Sequence, residues 1–91
     1  MPCVIRSEEE SAPLVELLPD SWHLPEQVDA LEAWLVESAG VLASGTRWIA
    51  DIGFCLREDA AGGGSVISTR LMRLCLDANV EVWLSEYPGT A

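Results

Sequence analysis

The chain has no lysine and a single histidine, and its five basic residues are all arginine. Against 15 acids they leave a formal net charge of −10. Direct binding of DNA or RNA needs cations that face phosphates, and this balance has the opposite sign. An anionic membrane surface is disfavoured for the same reason. No apolar run approaches the ~20 residues that a membrane span needs, and no charged n-region with an apolar h-region opens the chain. The cysteines are three, Cys3, Cys55 and Cys75, with no C-x-x-C spacing. That count argues against a disulfide framework and fits a reducing cytoplasm, the expected compartment.

The scarcity of histidine also thins the catalytic inventory. Any Ser–His, Cys–His or His–metal arrangement must run through His23, which sits between Trp22 and Leu24 just before a helical pattern. A packing or capping role is the ordinary explanation there. A zinc site from Cys3, His23, Cys55 and Cys75 would match no established ligand spacing. The run Gly62-Gly63-Gly64-Ser65 lacks both the G-K-[ST] ending of a P-loop and the G-x-G-x-x-G spacing of a dinucleotide fold. Acids are numerous, but nothing marks one pair for acid/base work. The expectation is a protein without enzymatic activity, metal or cofactor.

What the chain does have is apolar content and a lopsided charge. Hydrophobic residues make up 49% of its 91 positions and include four Trp. That is enough for one core and one domain, residues 1–91. Residues 1–40 hold nine acids against Arg6 alone, a net of −8, whereas residues 41–91 hold six acids against four arginines, a net of −2.

Periodicity predicts a short strand at Cys3–Arg6, one or two helical turns over Pro13–Leu18, and a long helix from Pro25 to about Leu42. In that helix Val28, Leu31, Leu35, Ala39 and Leu42 form one stripe. From Arg47 to Arg57 every even position is apolar, which reads as a strand with one buried face. Residues 58–66 are a Gly-rich loop expected to be flexible. Ser68 is a good N-cap for a helix over Thr69–Ala78, with Ile67 and Met72 as its staple and Asn79 as its left-handed end. Alternation from Val80 predicts a last strand reaching Tyr87. The fold class is α/β, a small three-stranded sheet with helices packed on one face. The predicted order is β–α(short)–α–β–α–β, with the last two strands parallel.

On the long helix Glu26, Asp29 and Glu37 lie opposite the apolar stripe, with Glu32 on the flank and Trp34 at the stripe's edge. Together with Glu8, Glu9, Glu10, Glu16 and Asp20 they form the candidate partner-binding set. Duplex DNA carries one charge per ~1.7 Å of axis, and carboxylates along one helix side can present a comparable line. The bland alternative is a solvated face that keeps a small protein soluble.

The helix around Leu31–Leu35, the strand and loop Ile52–Gly64, and the stretch from Ile67 to Leu74 leading into Val80–Tyr87 resemble a family of small bacterial domains of unknown function, number 4279 in that series. The resemblance covers about residues 28–87. It implies no reaction and no catalytic residues. The chain departs from the family at its start, where the expected N-terminal strands are shortened or missing. The acidic format is also similar to that of phage anti-CRISPR proteins and bacterial immunity proteins, in size and charge only.

The resulting expectation is a cytoplasmic inhibitor that occupies a basic, nucleic-acid-binding surface of a protein partner, as anti-CRISPR proteins do by DNA mimicry. The alternatives are an immunity protein that neutralises a cognate toxin, and a module that assembles through its sheet by way of Trp83, Ser85 and Tyr87.

Overall fold

In the first strand every second residue is withdrawn from water. Cys3, Ile5 and Ser7 are buried while Val4 and Arg6 are half-buried, the two-residue period of a strand with one face on a core. A computed structural model describes residues 1–10, 12–59 and 61–88. Gly89, and the Ala60 position within the predicted Gly-rich loop, lie outside the described residues. Strand β1 is Cys3–Ser7.

The segment after it departs from expectation. Val15–Leu17 forms strand β2, antiparallel to β1, with Cys3 opposite Leu17 and Ile5 opposite Val15. The helix predicted over Pro13–Leu18 is therefore absent. The Leu14 N–H donates to the Ile5 carbonyl at 2.7 Å, so cross-strand bonds claim the backbone groups that a helical turn would need. Leu18, at φ 43°, turns the chain away. Val15 and Leu17 pack against the core, whereas Leu14 and Leu18 are exposed.

Helix α1 is Leu24–Ser38, four residues shorter than the stripe ending at Leu42 implies. A 3-10 turn, Ala39–Val41, follows, and the Leu42 N–H donates to the Ala39 carbonyl. The tighter winding past Gly40 carries Leu42 into the core without prolonging the α-helix.

Strand β3, Trp48–Cys55, pairs antiparallel with the free side of β1. Helix α2, Thr69–Ala78, starts and stops as its caps dictate. The Ser68 hydroxyl accepts from the Leu71 N–H, and Asn79, at φ 58°, closes the helix in the left-handed conformation. Strand β4, Val80–Tyr87, runs parallel to β3 in register from Trp48 opposite Val80 to Cys55 opposite Tyr87. The sheet is therefore four-stranded and mixed, in the order β2-β1-β3-β4, where three strands were expected. The observed element order is β–β–α–β–α–β.

One face of this sheet carries the core. Ile5, Ala50, Ile52 and Val80 share that face by register and meet Leu31 and Leu35 of α1 and Leu71 of α2 in a single cluster, so both helices cover the same side. The other face is covered by no helix among the described residues. It is closed at one end by Met1 and Trp22, whose side chains lie over Gly53, so that a Cβ there would stand 3.1 and 3.2 Å from them. Trp22 meets Tyr87 edge-on at 5.4 Å, and the Arg6 guanidinium lies 5.2 Å over the Trp83 ring.

Candidate protein-binding surface

Helix periodicity decides which carboxylates act together. Val28, Leu31 and Leu35 turn one side of α1 into the core, and Glu26, Asp29 and Glu37 are exposed on the side away from it. Glu26 and Glu37 are eleven residues apart, ~16 Å along the axis. Glu32, the flanking fourth, is only partly exposed. It accepts from the Ser68 hydroxyl at 2.7 Å and lies 3.7 Å from the Arg70 guanidinium. Asp29, Glu32, Glu37 and Arg70 line an open groove between the helices of about 370 Å³.

Among the described residues no cation is within ion-pair distance of Glu26, Asp29 or Glu37. Glu26 instead accepts a hydrogen bond from the Ser21 hydroxyl at 2.6 Å. Four carboxylates over ~16 Å give one per ~5 Å, sparser than the ~3.4 Å repeat along one DNA strand. Along the axis Glu26 and Asp29 stand ~4.5 Å apart, inside the ~8 Å screening length at physiological salt, whereas Glu37 lies ~12 Å beyond Asp29 and is screened from them more strongly.

The remaining predicted residues divide. Glu8, Glu9 and Glu10 are exposed in the β1–β2 connection, at the end of the sheet where α1 finishes and β3 begins. Glu8 lies 3.9 Å from Arg47. Asp20 is exposed near the opposite end, just ahead of α1. Glu16 points the other way. It pairs with Val4 on the sheet face without helices and binds the N-terminal ammonium at 2.9 Å. Trp34 is half-buried against the core, off the exposed row. The parity that sends Glu16 to the far face depends on its pairing with β1, which periodicity on α1 could not disclose.

The structure also gathers residues that were read separately. His23, Phe54, Arg57 and Gly62–Gly64 line one cleft beside the start of α1. His23 occupies the N-cap position and its carbonyl accepts the first helical bond, from the Gln27 N–H, but its exposed side chain makes no cap bond, so the expected capping role is not filled. The Arg57 guanidinium reaches the Gly62 carbonyl at 3.4 Å, and the Cys55 thiol donates to the Pro88 carbonyl at 3.4 Å. The cleft holds about 220 Å³ and is mostly apolar. Ligand pockets begin near ~300 Å³. Cys55 and His23 both line this cleft, but no hydrogen bond joins them among the described residues, and the thiol is turned to the Pro88 carbonyl. All three cysteines are free, and no cluster of three metal-ligating side chains occurs among the described residues. Among the described residues no helix is long and apolar enough to cross a membrane.

Comparison with protein-family models, with curated proteins and with solved structures finds no match to this chain.

Proposed function

We propose that this chain is an inhibitory interaction protein whose α1 crest docks on a basic, nucleic-acid-binding surface of a protein partner. One observation carries the reading: Glu26, Asp29 and Glu37 stand in a row on a single helix, exposed and without an ion-pair partner among the described residues. Carboxylates carried on a packed helix lose little freedom on docking, so their field is already aimed when a cationic groove arrives. Glu8–Glu10 lengthen the footprint, and Glu32 keeps Arg70 close to it. The resemblance to small acidic anti-CRISPR proteins supports the same partner class, and a toxin with a basic active groove would meet the same physics.

The test is capture of host-lysate proteins on the immobilised chain at low and high salt, beside a variant carrying Glu26→Lys, Asp29→Lys and Glu37→Lys. The expected catch is a nucleic-acid-handling protein, released by salt, displaced by added DNA or RNA, and lost with the triple variant. A partner held equally well by the folded triple variant overturns the proposal.

A further inference from the structure

The sheet edge away from α1 is bare, and its surroundings are apolar. Among the described residues strand β4 bonds to β3 on one side and to no strand on the other. The Trp48 N–H donates to the Asn79 carbonyl at 2.9 Å, and in a parallel ladder such bonds fall to alternate residues. The odd-numbered residues of β4 therefore bond β3, and the N–H and C=O groups of Val80, Val82, Leu84 and Glu86 face outward. Leu84 is 55% exposed on this rim, and Met72 and Leu76 of α2 are 52% and 79% exposed beside it. Between helix and strand runs a groove of about 340 Å³ lined by Leu71, Cys75, Val80 and Val82.

Soluble proteins ordinarily guard such an edge with lysine, proline, a bulge or a covering loop. None of the residues Val80–Tyr87 is a lysine or proline, and the register with β3 is unbroken over all eight. The charges on the strand are Glu81 and Glu86. Glu81 is already occupied by Arg47 at 3.5 Å and by the Trp83 indole N–H at 2.7 Å.

We propose that the occupant of this edge is a second copy of the chain, β4 against β4, antiparallel about a two-fold axis at Trp83. The two four-stranded sheets then form one of eight strands. This register is self-complementary. Val82 meets Leu84 of the partner copy as a hydrogen-bonded pair, twice, on the helix-covered side, and the two Trp83 rings meet on the other. Glu81 faces a serine and Glu86 a valine, so no like charges stand opposite one another. The two α2 helices come side by side, and Met72 and Leu76 cover the new joint. Eight of the ten net negative charges belong to residues 1–40, none of which lies in α2 or β4.

This pairing is independent of the acidic docking proposed above, and salt separates the two. Screening weakens a contact between acidic and basic surfaces but relieves repulsion between two acidic copies. Sedimentation equilibrium of the full chain is expected to show twice the monomer mass with rising concentration, and tighter association in added salt. Leu84→Lys and Leu76→Lys, both at exposed positions on different elements, are each expected to weaken association by about tenfold or more while the far-UV circular dichroism is unchanged. Amide exchange provides the register. The Val82 and Leu84 N–H groups exchange slowly in the associated protein and fast in the lysine variants, whereas those of Glu81 and Trp83 stay slow in both. A strict monomer at millimolar concentration, or a dimer whose Val82 and Leu84 amides exchange freely, overturns the proposal.

Discussion

The Ser68 hydroxyl donates to the Glu32 carboxylate at 2.7 Å while its oxygen accepts from the Leu71 N–H at 2.9 Å. One side chain thus starts α2 and ties it to the flank of α1. Ser68→Ala removes both contacts and is expected to cost about 1–2 kcal/mol in chemical denaturation. Ser68→Asp keeps a capping oxygen but sets a second carboxylate against Glu32, so it is expected to fall between the two proteins. Equal stability of all three would show that the tie contributes nothing.

Gln27 is fully buried, and its side-chain amide donates to the Leu18 and Ser21 carbonyls. It holds the turn in which Leu18 takes its positive φ. Gln27→Leu is expected to destabilise by about 1–3 kcal/mol, because two carbonyls lose their donor in the interior. The urea midpoint reports it.

The Cys3 thiol is pushed up to about 12 by burial and by the nearby Asp51 carboxylate. Burial also raises Cys75. A thiol that ionises near 9.0 when unfolded and near 12 when folded favours the native state fully below pH 9 and loses that contribution as pH rises toward 12. Alkaline unfolding is therefore expected in this window and is expected to be shallower in Cys3→Val. In the native protein a thiol reagent is expected to modify Cys55 first, since Cys3 and Cys75 are buried.

Reversing Glu26, Asp29 and Glu37 to lysine adds two charges at each position and brings the net from −10 to −4. The Ser21 bond to Glu26 and the favourable acid in the first turn of α1 are lost, while repulsion across the molecule falls. These effects oppose one another, so thermal unfolding is expected to stay within about 1 kcal/mol of the parent. A larger loss would mean that the row serves the fold itself.

The parts of this fold written in local chemistry were legible. Ser68 and Asn79 bound α2 at the residues their side chains favour, and alternation located β3 and β4. The exposed row on α1 followed from the spacing of Val28, Leu31 and Leu35. Strand β2 was not legible, because three residues beside a proline carry too little periodicity, and their conformation is set by β1 across the hairpin. The same dependence hid the direction of Glu16. The second face of β3 was hidden for a related reason. Ile49 and Gly53 read as its exposed side, yet both are buried. Gly53 is covered by Met1 and Trp22, which reach it from elsewhere in the chain.

The position of β1 between β2 and β3 has a consequence for how the molecule is made. As the polypeptide emerges during translation, the first two strands can join as a hairpin. The third then takes the margin of β1 left open, and the last takes the margin of the third. Each arrival finds its neighbour waiting, and no earlier pairing has to be undone to admit it. Assembly proceeds in one direction from a fixed boundary at β2, and the margin that accepts the next strand passes from β1 to β3 and then to β4.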